Sequence, residues 1–232
     1  MKRISILLVV LLIAATPFYA QEVKPDVAKG TKGILFDFDG LSFLSASAYD
    51  GGIGCKYYVS DKLAARAVLS FAYASESTPA NQPAGLDGKD GEASATSFGV
   101  GLGFEYHLNN ERVNPYVGGL IGFSTTSTDS KPAVVGTAPL TQPEYKNSLS
   151  GETINRENYQ AGTTFTVGAL VGFEYFITKD LSLGAEYQLG FSSTSFKDEE
   201  VTAGSTTVTT KGGSGSGIGI TNSGRVTLAV YF

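Results

Sequence analysis

From about residue 33 onward the chain alternates. Apolar residues recur at every second position, with small or polar residues between them. That is the period of a β-strand whose two faces meet different surroundings. Over 96–108, Phe98, Val100, Leu102, Phe104, Tyr106 and Leu108 share one parity, and Ser97, Gly99, Gly101, Gly103, Glu105 and His107 share the other. Residues 164–177 set Phe165, Val167, Val171, Phe173, Tyr175 and Ile177 against Thr164, Thr166, Gly168, Gly172 and Glu174. Residues 181–191 set Leu181, Leu183, Tyr187, Leu189 and Phe191 against Ser182, Gly184, Glu186, Gln188 and Gly190. Similar runs mark 33–44, 51–59, 63–73, 113–125 and 225–232, which makes eight predicted strands. The first changes phase near Gly40, which reads as a bulge.

The charges choose between a sandwich and a barrel. Lys56, Arg66, Glu105, His107, Glu174, Glu186 and Arg225 all fall on the parity opposite the apolar residues. Between them that face is mostly Gly, Ser and Thr. A face open to water would carry more Lys and Glu. Small residues with one or two charges per strand suit the inside of a narrow ring, with the apolar face turned to lipid. A charge on the lipid side near mid-bilayer would cost roughly 2–4 kcal/mol. The reading is therefore an all-β, antiparallel, up-and-down transmembrane barrel of eight strands.

The connections alternate in length. Residues 60–62, 109–112 and 178–180 are short polar turns, whereas 74–95, 126–163 and 192–219 are long and rich in Gly, Ser, Thr, Pro and charge. Short periplasmic turns and long external loops fit that alternation; a first external loop at about 45–49 is short. Pro132, Pro139 and Pro143 disfavour two further strands within 126–163, and 201–211 is Thr-rich enough to extend strands seven and eight above the membrane. A Gly-x-x-Tyr repeat (Gly54–Tyr57, Gly103–Tyr106, Gly172–Tyr175) precedes each short turn by a few residues. It predicts a periplasmic aromatic girdle of Tyr57, Tyr106 and Tyr175. Phe71, Tyr73, Phe98, Phe123, Phe165 and Phe191 would form the external one.

The N-terminus adds a location. Lys2 and Arg3 precede an apolar run from Ile4 to Ala15, Thr16-Pro17 breaks it, and Ala20-Gln21 offers a cleavage point. Residues 1–20 read as a secretory signal, too short to span a bilayer as a helix. Residues 21–32 are then a periplasmic N-terminal segment and 33–232 the barrel domain. Without Lys2 and Arg3 the chain keeps 15 Lys+Arg against 22 Asp+Glu, a net charge of −7, which argues against a nucleic-acid partner. The single cysteine, Cys55, cannot form an intramolecular disulfide.

The signal, the eight strands and the terminal Val226-x-Leu228-x-Val230-x-Phe232 resemble the small outer-membrane β-barrel family that includes OmpX and the OmpA transmembrane domain. The resemblance implies that Val226, Leu228, Val230 and Phe232 are the signal read by the barrel-assembly machinery. It implies the bacterial outer membrane as location, and outer-membrane lipid and lipopolysaccharide as surroundings. It does not fix a function, because this fold hosts adhesins, structural barrels, narrow pores and enzymes.

The remaining residues offer little chemistry. Lys56, Arg66 and Arg225 would face Glu105, Glu174 and Glu186 as a paired, structural network across the lumen, since buried charges must be paired. His107 stands alone, with too few further ligands nearby for a metal and no inward Ser close by for a catalytic set. Lipid A deacylases of this barrel class place that set at the external rim. Gly99, Gly101 and Gly103 precede a strand, not a helix, and so do not form a phosphate loop. Asp87–Glu92 lacks the spacing of a calcium loop, and Asp198-Glu199-Glu200 reads as a solvated loop tip. No catalytic residue, cofactor or metal is expected. The expectation is a monomeric, non-enzymatic barrel with a structural or adhesion-like role, its loops open to an extracellular partner. The alternatives are a narrow pore for small solutes and a lipid-modifying enzyme.

Overall fold

The computed structural model describes residues 23–39, 48–80, 88–135, 142–220 and 225–232. The predicted signal peptide, the phase change at Gly40 and most of the first external loop lie outside them. Among the described residues there is no α-helix. In chain order the strands are β1 (Lys32–Asp39), β2 (Ala48–Tyr58), β3 (Leu63–Thr78), β4 (Gly88–Lys89), β5 (Gly91–His107) and β6 (Val113–Lys131). Four short ones follow: β7 (Val134–Val135), β8 (Glu144–Lys146), β9 (Glu152–Ile154) and β10 (Glu157–Tyr159). The rest are β11 (Gly162–Phe176), β12 (Leu181–Phe196), β13 (Glu199–Ala203), β14 (Thr206–Thr210), β15 (Ser214–Ile220) and β16 (Arg225–Tyr231).

Eight of these close a barrel. β1, β2, β3, β5, β6, β11 and β12 pair antiparallel in sequence, β12 pairs β16, and β16 returns to β1. β15 pairs with the upper part of β12. The β16–β1 pairing closes the ring, which removes its edges at that level; among the described residues β15 pairs only with β12. The two faces sort as the alternation predicts: Leu102, Val171 and Tyr187 stand 51%, 57% and 57% exposed on the outside, while Glu105 is fully buried inside. Cys55 is also exposed on the outer face. An inside-out distribution of this kind is stable only in lipid, which welcomes the apolar side chains that water would not.

Glycine sets the width of the lumen at two places. A Cβ on Gly172 would lie 2.7 Å from the Tyr116 ring and hydroxyl, and one on Gly103 would lie 3.4 Å from Arg66 Nε. Each glycine gives up its side-chain volume to a large group on the neighbouring strand.

The loop end is more ordered than the sequence suggests. β3, β5, β6, β11 and β12 all run beyond the aromatic level marked by the Phe71↔Phe98 and Phe165↔Phe123 pairs. The 126–163 segment adds no further pair of strands to the eight of the barrel, but it holds the end of β6, four short strands and the start of β11. Pro132 and Pro143 fall between strands, where a missing N–H costs no ladder hydrogen bond. β8 pairs with β6, β13 with β8, and β14 with β13, which builds a sheet outward from the barrel wall. Residues 201–211 therefore belong mostly to a separate hairpin, and do not simply prolong strands seven and eight. Asp198-Glu199-Glu200 is no loop tip: Glu199 accepts from Leu149 N and Glu200 pairs with Lys146. Ile154 of β9 is buried with Ala74 and Ala95.

At the opposite end residues 23–31 are tied to all three short turns. Lys29 N donates to Asp61 (2.9 Å), Val27 O accepts from Asn110 Nδ2 (2.8 Å), and Asp26 N donates to Lys179 O (3.2 Å). Val27 is buried against a cluster that includes Leu35, Tyr58, Phe176 and Tyr231.

Candidate functional site

The strand period carries one row of side chains from each stave into the lumen, and antiparallel register sets their heights. Lys56 stands opposite Arg66 on β2 and β3. Glu105 is two residues from the end of β5, and Glu174 holds the matching place on β11. Glu186 of β12 pairs across with Arg225 of β16. All six residues expected to form an interior network thus project into the same part of the barrel.

Their contacts form one chain. Lys56 Nζ lies 2.7 Å from Glu105 and 2.5 Å from Glu174. Arg66 lies 3.0 Å from the other oxygen of Glu105 and grips Glu186 with both terminal nitrogens, at 2.7 and 2.9 Å. Glu105 is therefore the bridge between the two cations. Arg225 is looser, 3.8 Å from Glu186 and 3.9 Å from Asp37. A bidentate Arg–carboxylate pair fixes orientation as well as charge, so the Arg66–Glu186 contact also locks β3 to β12 across the lumen.

Neutral donors add to these contacts. Tyr116 donates to Glu186 (3.0 Å), Tyr231 to Glu174 (2.6 Å), Gln188 to Glu186 (2.8 Å) and Thr227 to Asp37 (2.5 Å). His107 Nε2 sits 3.2 Å from Glu105 and 3.3 Å from the Tyr58 hydroxyl. These contacts make His107 a member of the plug. The sequence reading left out Asp37, Tyr58, Tyr116, Thr227 and Tyr231 as members. Parity was their signal: Tyr58, Thr227 and Tyr231 share the inward parity of a charge on their own strand, Asp37 opposes Phe36 and Phe38, and Tyr116 opposes Val113, Val117 and Ile121.

The plug has two layers. The charged layer lies above an aromatic one made of Tyr58, Phe176 and Tyr231, with Val27 beneath as a stopper. Above the charges is a cavity of about 200 Å³, lined by Arg66, Ser70, Ser124, Thr166, Gln188 and Arg225. Among the described residues no group of His, Cys, Asp and Glu is placed to hold a metal ion.

On the outer face, Tyr57 and Tyr106 are 45% and 46% exposed near the turn end. Tyr175 is half-buried, with the Arg112 guanidinium 4.9 Å above its ring, a cation–π distance. Val226 and Leu228 are half-buried, while Val230 and Phe232 are exposed. Asp90, at the weak calcium-loop resemblance, accepts from Ala80 N; Asp87 lies outside the described residues.

The family comparison agrees with this architecture. The family model described as outer membrane protein beta-barrel domain matches residues 5–223. Among solved structures, the outer membrane protein OprG from Pseudomonas aeruginosa is similar at 13% identity, with 89% of this chain and 97% of that chain covered and a TM-score of 0.45. Neisserial surface protein A is similar at 13% identity, with 87% and 96% covered and a TM-score of 0.36. The outer membrane protease OmpT from Escherichia coli is similar at 9% identity, with 94% and 99% covered and a TM-score of 0.30. No curated protein matches the sequence significantly.

Proposed function

The chain belongs to the outer membrane protein beta-barrel domain family, which implies the bacterial outer membrane, and we propose that within this family it is a closed, non-enzymatic anchor. It holds its long loops at the cell surface for a structural or adhesion-like role. One observation carries the reading. The lumen is crossed by the continuous Lys56–Glu105–Arg66–Glu186 chain, whose side chains are at most 5% exposed. An eight-stranded barrel has room inside for its own side chains and little else. The wall therefore serves as a support, and its chemistry lies in the loops. Lipid and lipopolysaccharide would surround the wall. The terminal Val226, Leu228, Val230 and Phe232 would be read by the assembly machinery, and the barrel would stand alone in its own membrane.

Planar-bilayer recording of the purified, refolded chain tests this. The expected record is silent; discrete, reproducible conductance steps would overturn the reading. The cavity above Arg66 favours a second reading, a narrow pore that opens when the plug rearranges. The same recording decides it, because a pore must conduct in at least part of the voltage range.

A further inference from the structure

The ring closes where β16 meets β1, but the sheet built on its wall ends, among the described residues, in a strand with a free edge. From β6 the pairing runs through β8 and β13 to β14, where it stops: among the described residues β14 pairs only with β13. All five residues of β14 are exposed. β14 reads Thr206-Thr207-Val208-Thr209-Thr210, five β-branched residues with no charge and no proline. Native edge strands are commonly blunted by Lys, Pro or a bulge against pairing with another chain. This one carries none of these.

The hairpin geometry says which groups are free. Ala203 pairs with Thr206 across a two-residue turn, with Gly204 at a positive φ of 62°. Such a tight turn makes 203 and 206 the closing hydrogen-bonded pair. Alternation then turns the N–H and C=O of Val208 towards β13 and leaves those of Thr207 and Thr209 facing outward. Val208 is 58% exposed, and among the described residues its one cross-strand partner is Val201.

The strand is also a palindrome. Set antiparallel to a second β14 about a two-fold axis through Val208, it places Val208 opposite Val208, Thr207 opposite Thr209 and Thr206 opposite Thr210. The outward groups of Thr207 and Thr209 then meet their counterparts, closing four backbone hydrogen bonds in one register. Thr–Thr and Val–Val are favourable cross-strand pairs. The contact is isologous and therefore closed.

We infer that the free edge of β14 docks antiparallel onto β14 of a second copy of this chain, and that it joins barrels standing in two facing membranes. Direction supplies the second half. β14, β13, β8 and β6 lie side by side in one sheet that grows from the barrel wall, so a two-fold axis perpendicular to that sheet lies across the barrel axis and reverses it. An antiparallel partner has its staves reversed, and so its barrel points the opposite way. Two copies in one membrane point the same way and cannot make this contact. A single five-residue pairing is weak; many copies on two apposed surfaces add through multivalency. The inference rests on the surface-display reading and names its partner.

The test uses the full chain in phosphatidylcholine vesicles, with loops outward as judged by protease accessibility. Clustering between donor- and acceptor-labelled vesicles is followed by energy transfer and light scattering. Wild-type vesicles should cluster where empty ones do not. Thr209→Pro removes one outward N–H, a change that edges tolerate, and should lower clustering at least tenfold. Val208→Lys and Val208→Glu should each do the same alone, by setting like charges face to face. Vesicles bearing Val208→Lys mixed with vesicles bearing Val208→Glu should cluster again. That rescue cannot come from a misfolded hairpin. Absence of wild-type clustering, clustering that survives all three substitutions, or failure of the mixed rescue overturns the inference. If these failures occur while the bilayer record stays silent, the homotypic contact falls and the anchor reading stands; conductance steps remove the anchor reading instead.

Discussion

At the turn end the inward charges of the plug are paired with one another, whereas at the loop end β14 turns backbone groups outward with no strand beside them among the described residues. Both ends are built from the same alternating strands. The difference is what surrounds them. Inside the barrel an unpaired charge has no water to fall back on, so Glu105 is shared by Lys56, Arg66 and His107. Above the membrane, water can satisfy an open edge until something better arrives. The comparison teaches that closure and display are separable in this molecule: the plug fixes the wall, and the edge is free to act.

The largest effect should come from breaking the plug. Glu105→Ala leaves Lys56 and Arg66 with one carboxylate each. It should cost about 3–5 kcal/mol, more than any substitution in the loops. The chain has no Trp, so urea unfolding is best followed by far-UV circular dichroism or by gel mobility. An unchanged midpoint would mean that the lumen is held by packing alone. Next comes the stopper. Val27→Ala removes about two buried carbon groups, at roughly 0.8 kcal/mol each, so a loss of about 1.5 kcal/mol should appear in the same titration. The bilayer record should stay silent, because the charged layer above is untouched. If Val27→Ala conducts, the seal is the N-terminal segment and not the charges.

The smallest effect lies in the loop sheet. Partial burial holds Glu152 above the ordinary carboxylate range, and the neighbouring Glu199 adds to this against a hydrogen bond from Ser130. A carboxyl whose pKa rises on folding contributes stability that is full below the unfolded value near 4.5 and lost as pH rises through the folded one. Hydrogen exchange in β9 and β10, corrected for its intrinsic pH dependence, should slow as pH falls from neutral towards that value. Glu152→Gln should remove the trend. A matching trend in the barrel wall would erase the distinction between the two ends.

The barrel was legible because lipid outside and a narrow ring inside impose opposite demands on alternate residues. That is why Phe104 and Glu105 could be assigned to opposite faces from parity alone. The loop sheet was not legible for the converse reason. Above the aromatic level both faces of a strand such as Ser75–Thr78 meet water, so no alternation survives. Backbone pairing continues there without leaving a mark in the sequence. The stopper was missed because Val23–Thr31 has no period at all; its place is set by hydrogen bonds to three turns that lie far away in the chain. The tyrosines of the plug were visible as inward residues, but their hydroxyl partners depend on heights that only the register fixes.

The seam between β1 and β16 has a kinetic consequence. It joins residues about as distant in sequence as this fold allows, as in the Thr227–Asp37 contact across 190 positions. Glu174 receives Tyr231 from β16, and Asp37 of β1 receives both Thr227 and Arg225. No intermediate that lacks the seam has the complete plug. The charges lose their water only in the step that also supplies their partners, so insertion and ring closure should proceed as one slow, high-contact-order event.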